Sequence, residues 1–171
     1  MKCPSCSTEN LEGADSCENC GQSLTALDTV IEPQSELEHF LMEETFATVP
    51  LPQAVCISPE LSIFEAAKQM NAQKVGCVLV LKDRQLVGIV SERDILYKAF
   101  RAPETKLSAV PVATIMTPNP ESLHKSDTLA YALNRMSLGG YRHIPIIEDN
   151  DVIGLVSVTN LLKYITQRLP S

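Results

Sequence analysis

Two stretches of this sequence decide its fold: GIVSERDI at residues 88–95 and GLVSVTNL at residues 154–161. Each is an apolar run that ends at a serine and continues into a more polar segment. Gly88 corresponds to Gly154, an offset of 66 in sequence number, and other positions match at the same offset. The matching pairs include Ser62 with Thr128, Met70 with Met136, and Val80 with Ile146. A gap-free match over about forty residues indicates two copies of one structural unit.

The sequence pattern of each copy predicts secondary-structure elements in the order strand, helix, strand, strand, helix. Ser62 and Thr128 stand where they can cap the first helix of their copy. The apolar runs CVLVL and IPII then lead through the polar turns KDRQ and EDND into LVGIV and VIGLV. Because these runs are nearly continuous in hydrophobicity, we expect helices on both faces of each sheet. A single copy would expose apolar helix faces, so we predict that the two copies pack as an intramolecular pair.

The bulk composition excludes several classes of protein. The chain has 171 residues, 44% of them hydrophobic, which is enough for a substantial core. It has no apolar run of membrane-spanning length and no signal peptide, so we expect a cytoplasmic protein without a membrane partner. The net charge is −7, and no basic stripe stands out. Nucleic-acid binding is therefore disfavoured.

Four of the six cysteines have the spacing of metal ligands. Cys3 and Cys6 form one CxxC unit, and Cys17 and Cys20 form a second, followed by Gly21 where the turn needs a positive φ. Two such turns supply four thiolates to one tetrahedral Zn²⁺ ion. Disulfides or reactive dithiols are the alternatives, which a reducing compartment and the doubled spacing disfavour. The remaining two, Cys56 and Cys77, sit among apolar residues, and we expect both in the core.

The composition divides the chain into four segments. We predict a zinc ribbon at residues 1–22, an acidic linker with a short helix at 23–48, a first repeat at 49–105 and a second at 106–171. The acidic residues of the linker are Asp28, Glu32, Glu36, Glu38, Glu43 and Glu44. Phe40 and Leu41 can dock the linker helix onto the domain that follows it.

The repeat resembles the cystathionine-β-synthase (CBS) domain pair, or Bateman module. The resemblance rests on IMTPNPESL at residues 115–123, GYRHIPII at 140–147, the two stretches quoted first and the predicted order of elements. It covers residues 49–168. It implies an α/β fold of tandem βαββα units, and an adenosine ligand such as AMP, ADP or ATP in the cleft between them. It also implies a homodimer that regulates a partner protein.

The resemblance assigns ligand-binding roles to the junction between the last strand and the last helix of each copy. Asp94 matches the carboxylate that accepts hydrogen bonds from both ribose hydroxyls, and Ser91 matches the hydroxyl residue before it. The alternative is that Ser91 and Asp94 form a capping box and bind no ligand. In the second copy Ser157 and Asn160 stand at the positions of Ser91 and Asp94. The uncharged amide of Asn160 binds a diol more weakly than a carboxylate does.

The same resemblance places phosphate-binding groups just before the IPII strand. Arg142 and His143 stand there, whereas the first copy has Gly76 and Cys77. A guanidinium can form paired hydrogen bonds with phosphate oxygens, and a histidine adds a proton-dependent donor. The alternative is that Arg142 is a solvated surface residue and His143 a partly buried one.

These features predict a sensor: an adenosine nucleotide binds the repeats and the change is passed to a partner protein. The alternative is an adaptor that binds no nucleotide, dimerises through the repeats and uses the ribbon for protein interaction. The sequence has no catalytic triad and no phosphate-binding glycine loop, and a four-thiolate zinc site has no open position. We therefore expect no enzymatic activity.

Overall fold

The computed structural model of the chain describes residues 1–3, 5–24, 35–101 and 106–168. Asp28, Glu32 and the predicted boundary between residues 105 and 106 lie outside this range. No helix within the described ranges is both long and apolar enough to cross a membrane. The chain divides into two compact bodies. One consists of Met1–Leu51, Leu123–Ile146 and Val156–Ser171, and the other of Pro52–Ser122 and Ile147–Leu155.

The first repeat has the predicted order of elements. They are β1 (Cys56–Ile57), α2 (Ile63–Gln73), β2 (Cys77–Lys82), β3 (Gln85–Ser91) and α3 (Glu92–Arg101). Strand β1 pairs in parallel with β2, and β2 pairs antiparallel with β3. Two short 3-10 helices (Leu107–Ala109, Val112–Thr114) follow, and then β4 (Thr117–Pro118) joins the free edge of β3. The sheet order is therefore β1-β2-β3-β4.

The second repeat has the same order. Its elements are β5 (Leu123–His124), α4 (Leu129–Gly139), β6 (His143–Glu148), β7 (Asp151–Ser157) and α5 (Val158–Arg168), with sheet order β5-β6-β7. The predicted polar turns are two-residue hairpin turns with positive φ at both positions, Asp83 and Arg84 in one copy and Asp149 and Asn150 in the other. The mixed α/β fold with two βαββα repeats is confirmed.

The predicted caps close the N-termini of α2 and α4. Ser62 Oγ accepts the backbone N–H of Glu65 at 3.2 Å, and Thr128 Oγ1 accepts that of Tyr131 at the same distance. Both helices end at a residue in the left-handed region, Lys74 and Gly140. The internal repeat therefore matches the ends of the helices as well as their apolar faces.

Burial differs between the two middle strands of the first repeat. Four consecutive residues of β2, Cys77 to Val80, are buried, as predicted for a strand covered on both faces. Strand β3 alternates between buried and half-buried residues, so the expected continuous burial holds for β2 alone. In the short strand β1 only Ile57 is buried, while Cys56 points the other way and is exposed. The prediction of a core position is thus correct for Cys77 and wrong for Cys56.

A segment that precedes each repeat closes the central helix of the other repeat. Glu44 O accepts the backbone N–H of Leu129 at 3.0 Å, at the start of α4. At the equivalent positions of the other copy, Val110 O accepts the N–H of Ile63 at 2.8 Å, at the start of α2. Isolated antiparallel bridges join Thr45 to Thr128 and Ser62 to Pro111. We call residues 44–46 and 110–112 the first and second arm.

Each arm also inserts an apolar side chain into the body to which it belongs. Phe46 of the first arm is 1% exposed, and Val112, the equivalent residue of the second arm, is fully buried. The backbone N–H of Phe46 donates to Asp127 O at 3.2 Å. Phe46 and Val112 are thus equivalent in burial as well as in sequence offset.

The linker helix is confirmed as α1 (Glu36–Glu43), which begins at Ser35 as its N-cap. Its Phe40 stacks on Tyr164 of α5, with ring centroids 6.2 Å apart. Glu44, just after the helix, accepts hydrogen bonds from the hydroxyls of Thr48 (2.6 Å) and Tyr164 (2.7 Å), and these two bonds lower its pKa. The helix thus packs on the second repeat, although the first repeat follows it in sequence.

The first arm predicts an unusual result for Phe46→Ala. Removing a fully buried phenyl ring should lower the free energy of unfolding by about 3–5 kcal/mol. Phe46 packs in the body of the second repeat. The variant should therefore increase the amide hydrogen-exchange rate more in α4 than in α2, as measured by mass spectrometry.

Phe64→Ala is the matched control, since Phe64 is 52% exposed. Its effect on a denaturant melt should be much smaller. Equal losses of stability in the two variants would contradict the role given to the first arm.

Candidate functional site

The two CxxC units fold into two similar turns. In the first, Cys3 N–H donates to Thr8 O and Ser7 N–H donates to Cys3 O, each at 2.9 Å. In the second, Cys17 N–H donates to Gln22 O at 2.8 Å and Gly21 N–H donates to Cys17 O at 2.9 Å. Gly21 has φ +69°, as its place after the turn predicted. Each turn brings the two thiols of its CxxC unit to the same side.

The four sulfur atoms form one cluster. All four Sγ atoms lie within 4.8 Å of one another, and Cys3–Cys20 and Cys6–Cys17 are each 3.5 Å apart. Tetrahedral zinc–thiolate bonds of about 2.3 Å would place sulfur atoms about 3.8 Å apart. A disulfide needs about 2.05 Å, and all four cysteines are free. The cluster therefore has the size of a four-coordinate metal site, and these cysteines can hold a metal ion.

The electrostatics of the cluster favour a cation at its centre. Burial and the neighbouring thiols raise the pKa of Cys20, and burial raises that of Cys3. Burial also opposes ionisation of Cys17, but the backbone N–H groups of Cys20 and Asn19 and the Asn10 side chain outweigh it and lower its pKa to about 6. Four thiols packed this closely cannot all ionise without a counter-charge, and a divalent metal supplies it.

Asn10 supports the cluster. The sequence pattern did not identify it as a site residue. It is buried, its Nδ2 donates to Cys17 Sγ at 3.5 Å and to Thr8 O at 2.9 Å, and its Oδ1 accepts the N–H of Glu18. It therefore ties the first turn to the second. The only signal in the sequence is its place between the CxxC units, where an amide is also common in ordinary loops.

The junction of β3 and α3 joins the predicted site residues Ser91 and Asp94. The backbone N–H and the hydroxyl of Ser91 both donate to Asp94 Oδ2, each at 2.7 Å. Asp94 is half-buried, and no hydrogen bond from the described residues reaches its Oδ1. One half of the predicted capping box is present: Asp94 accepts the N–H of Ser91, and it does so with one of its two carboxylate oxygens.

The junction of β7 and α5 joins Ser157 and Asn160 in the same way. Asn160 Oδ1 accepts the N–H of Ser157 at 3.1 Å and its hydroxyl at 2.6 Å, and Ser157 Oγ accepts the N–H of Asn160. Since both donors need an acceptor, the amide orientation is fixed, and Nδ2 is left as a donor. The second junction thus has a complete cap but lacks the additional acceptor of the first.

Arg142 and His143 lie beside the second junction. Arg142 is exposed and its carbonyl accepts the N–H of Val158, the first residue of α5, at 3.1 Å. His143 is half-buried at the start of β6. In the first repeat the corresponding carbonyl, that of Gly76, accepts the N–H of Glu92. The phosphate-binding role of Arg142 and His143 stays a prediction.

Cys77, next to Gly76, is buried beside the first junction. Burial first, and then the negative charges of Asp94 and Glu92, raise the pKa of its thiol to about 12. Cys77 therefore stays protonated at neutral pH and acts as a small apolar residue.

Comparisons with known proteins agree with this geometry. The family model "CBS domain" matches residues 46–101 and 112–167, and these two segments are related by the same offset as the sequence repeat. The CBS domain-containing protein CBSCBSPB5 of Arabidopsis thaliana is 34% identical over 122 residues, which are 70% of this chain. The chain spans only 22% of the length of that relative.

Solved structures show the same fold. The crystal structure of the CBS domain protein NE2398 has 32% identity and a TM-score of 0.63, covering 67% of this chain and 89% of that one. The structure of CBSX2 in complex with AMP has 25% identity and a TM-score of 0.62, covering 72% of this chain and 96% of that one. With two matched repeats that fill most of its length, this chain belongs to the CBS domain family.

Proposed function

We propose that this chain is a regulatory protein that binds an adenosine nucleotide (AMP, ADP or ATP) and signals to a partner protein, with Asp94 as the ribose ligand. The proposal rests on the different hydrogen bonding of the two carboxylate oxygens of Asp94. Oδ2 caps α3, while Oδ1 has no hydrogen bond from the described residues. A carboxylate oxygen can accept two donors, which suits the paired hydroxyls of a ribose.

The CBS family and one of its structures support this assignment. The related protein CBSX2 has been solved with AMP. In the present chain, Asp94 and Asn160 each accept the backbone N–H and the hydroxyl of the serine three residues before them, so these bonds do not explain why the first junction carries a charge. A hydrogen-bonding role toward a ligand accounts for it. Regulation of a partner and homodimer formation belong to the same proposal, and so do the domain boundaries given above.

The adaptor is the second candidate. It is favoured by one observation, namely that the hydroxyls of Ser91 and Ser157 each have a hydrogen-bond partner within their own junction. An adaptor would dimerise through the repeats and would bind no nucleotide.

We also propose that Cys3, Cys6, Cys17 and Cys20 bind one structural Zn²⁺ ion. The cluster size, the four free thiols and the supporting Asn10 fit this ion. A segment of about twenty residues cannot bury enough apolar surface to fold alone, and bound metal would supply the missing free energy.

Asp94→Asn separates the cap from the ribose contact. The amide oxygen should keep the cap, as Asn160 does in the second repeat, so stability without ligand should barely change. The free acceptor and its charge are lost, so affinity for AMP should fall by about 1.5–3 kcal/mol, which is more than tenfold. Calorimetric titration gives the affinity, and denaturant melts give the stability.

Asn160→Asp is the matched converse. It should create or strengthen nucleotide binding at the second junction if Arg142 and His143 contribute the phosphate contacts. An unchanged AMP affinity in Asp94→Asn would remove the ribose assignment. If the unmodified protein binds no adenosine nucleotide, the adaptor becomes the better description.

The metal proposal predicts one zinc ion per chain. Native mass spectrometry of the reduced protein should show about 65 Da of additional mass. The double variant Cys3→Ser and Cys6→Ser should lose it, because hydroxyls replace two of the four thiolates. Cys56→Ser, which changes an exposed cysteine outside the cluster, should keep it. Protein purified without chelator that contains no metal would disprove the site.

A further inference from the structure

Helix α4 has two faces with different partners. Tyr131, Asn134 and Leu138 are spaced by three and four residues and therefore share one face. The buried core residues of the same helix lie on the opposite face; these are Leu129, Ala132 and Met136. The face that carries Tyr131 does not belong to that core face, yet Tyr131 is only 8% exposed. Something other than the core of the repeat must therefore cover Tyr131, whereas Leu138 on the same face is 58% exposed.

The ribbon contacts this face through residues of its second CxxC turn. Asn19 Nδ2 donates to Tyr131 Oη at 3.4 Å, and Asn134 Nδ2 donates to Gln22 Oε1 at 3.0 Å. Gln22 Oε1 is also fixed by the hydroxyl of Ser5, at 3.2 Å. These contacts join segments that are 112 residues apart in sequence.

Gly21 of the ribbon lies next to Leu138 of α4. A Cβ atom on Gly21 would lie 3.5 Å from Leu138 Cδ1. Asn134 Oδ1 is buried at this interface and has no hydrogen-bond partner among the described residues. This oxygen is therefore shielded from water, and the hydrogen bond of the Asn134 amide to Gln22 partly compensates its burial.

The first repeat provides an internal comparison. The residues of α2 that correspond to Tyr131, Asn134 and Leu138 are Glu65, Lys68 and Ala72. Glu65 and Lys68 pair at 3.9 Å, and Lys68 and Ala72 are exposed. At the first two of these positions the helix face is thus charged in α2, but neutral and in contact with the ribbon in α4. The two helices share their core face and differ on this one.

The ribbon residues that contact α4 are neighbours of a metal ligand. Asn19, Gly21 and Gln22 surround Cys20, and the turn that orients them is closed by two backbone hydrogen bonds to Cys17. The apolar core of the described ribbon is small, since Leu24 is its buried hydrophobic side chain besides the cysteines. We therefore expect the geometry of this turn, and with it the contact surface, to depend on metal at the cluster.

We infer that the ribbon is a metal-dependent clamp on α4, so that occupancy of the four-cysteine site controls the stability of the second repeat. The inference rests on the metal site proposed above. Because linkage is reciprocal, the docked α4 should in turn raise the metal affinity of the ribbon. Zinc is then a second signal to this chain, besides the nucleotide, and it acts on the second repeat.

Hydrogen exchange of the full chain tests the clamp, with zinc as the probe. We expect amides of residues 129–139 to exchange about tenfold faster after chelation, the factor expected for losing two hydrogen bonds. Amides of α2 serve as the internal reference and should change less. Zinc content is measured by native mass spectrometry on the same samples.

The double variant Tyr131→Phe and Asn134→Ala removes both hydrogen bonds but none of the cysteines. It should still bind zinc, and exchange in α4 should be fast whether or not zinc is present. Lys68→Ala, the counterpart of Asn134 in α2, should retain the zinc-dependent difference. Zinc binding with no change of exchange in α4 would overturn the clamp while leaving the metal site intact. Absence of zinc from the unmodified chain would overturn both, and the mass measurement distinguishes the two results.

Discussion

The backbone hydrogen bond at the start of each central helix is the constraint on which the rest of the fold depends. The first N–H groups of a helix have no partner inside it. In this chain the N–H of Leu129 is satisfied by Glu44 O and that of Ile63 by Val110 O. Each acceptor comes from an arm that precedes the other repeat in sequence. Neither repeat can therefore close its own helix from its continuous sequence, and each becomes complete only with the arm that precedes the other repeat.

This arrangement explains how the segment before the repeats is held. The first arm must reach α4, so α1, which immediately precedes it, lies on the second repeat, where Phe40 stacks on Tyr164. The ribbon contacts α4 as well, on the face opposite the core residues of that helix. The acidic segment is thus more than a solubilising linker. Its described part, residues 35–48, belongs to the body of the second repeat.

The sequence predicted the order of elements because hydrophobic periodicity and turn residues act locally. The caps at Ser62 and Thr128, the hairpin turns and the CxxC pair all depend on residues within a few positions of each other, and all are found. The exchanged arms could not be predicted in this way, because Thr45 pairs with Thr128, which belongs to the distant second repeat. The exposed Cys56 was missed because a two-residue strand gives too short a pattern to show which face is buried.

The candidate site was predicted unevenly for a related physical reason. Local spacing identifies the cysteine ligands and the two junctions, but it does not separate a capping carboxylate from a ligand-binding one. The structure adds a distinction by atom, since Oδ2 of Asp94 caps the helix and Oδ1 receives no bond from the described residues. Comparison of the two copies adds another, since Asn160 shows that a neutral side chain suffices for the cap. The ribose contact that we propose for Asp94 would account for a charge at a junction that the neutral Asn160 serves in the other copy. The same reasoning applies to α4, where Asn134 replaces the solvated Lys68 of the other copy and contacts the ribbon. In a duplicated fold, the positions that match maintain the structure, and those that differ indicate where each copy has its own partner.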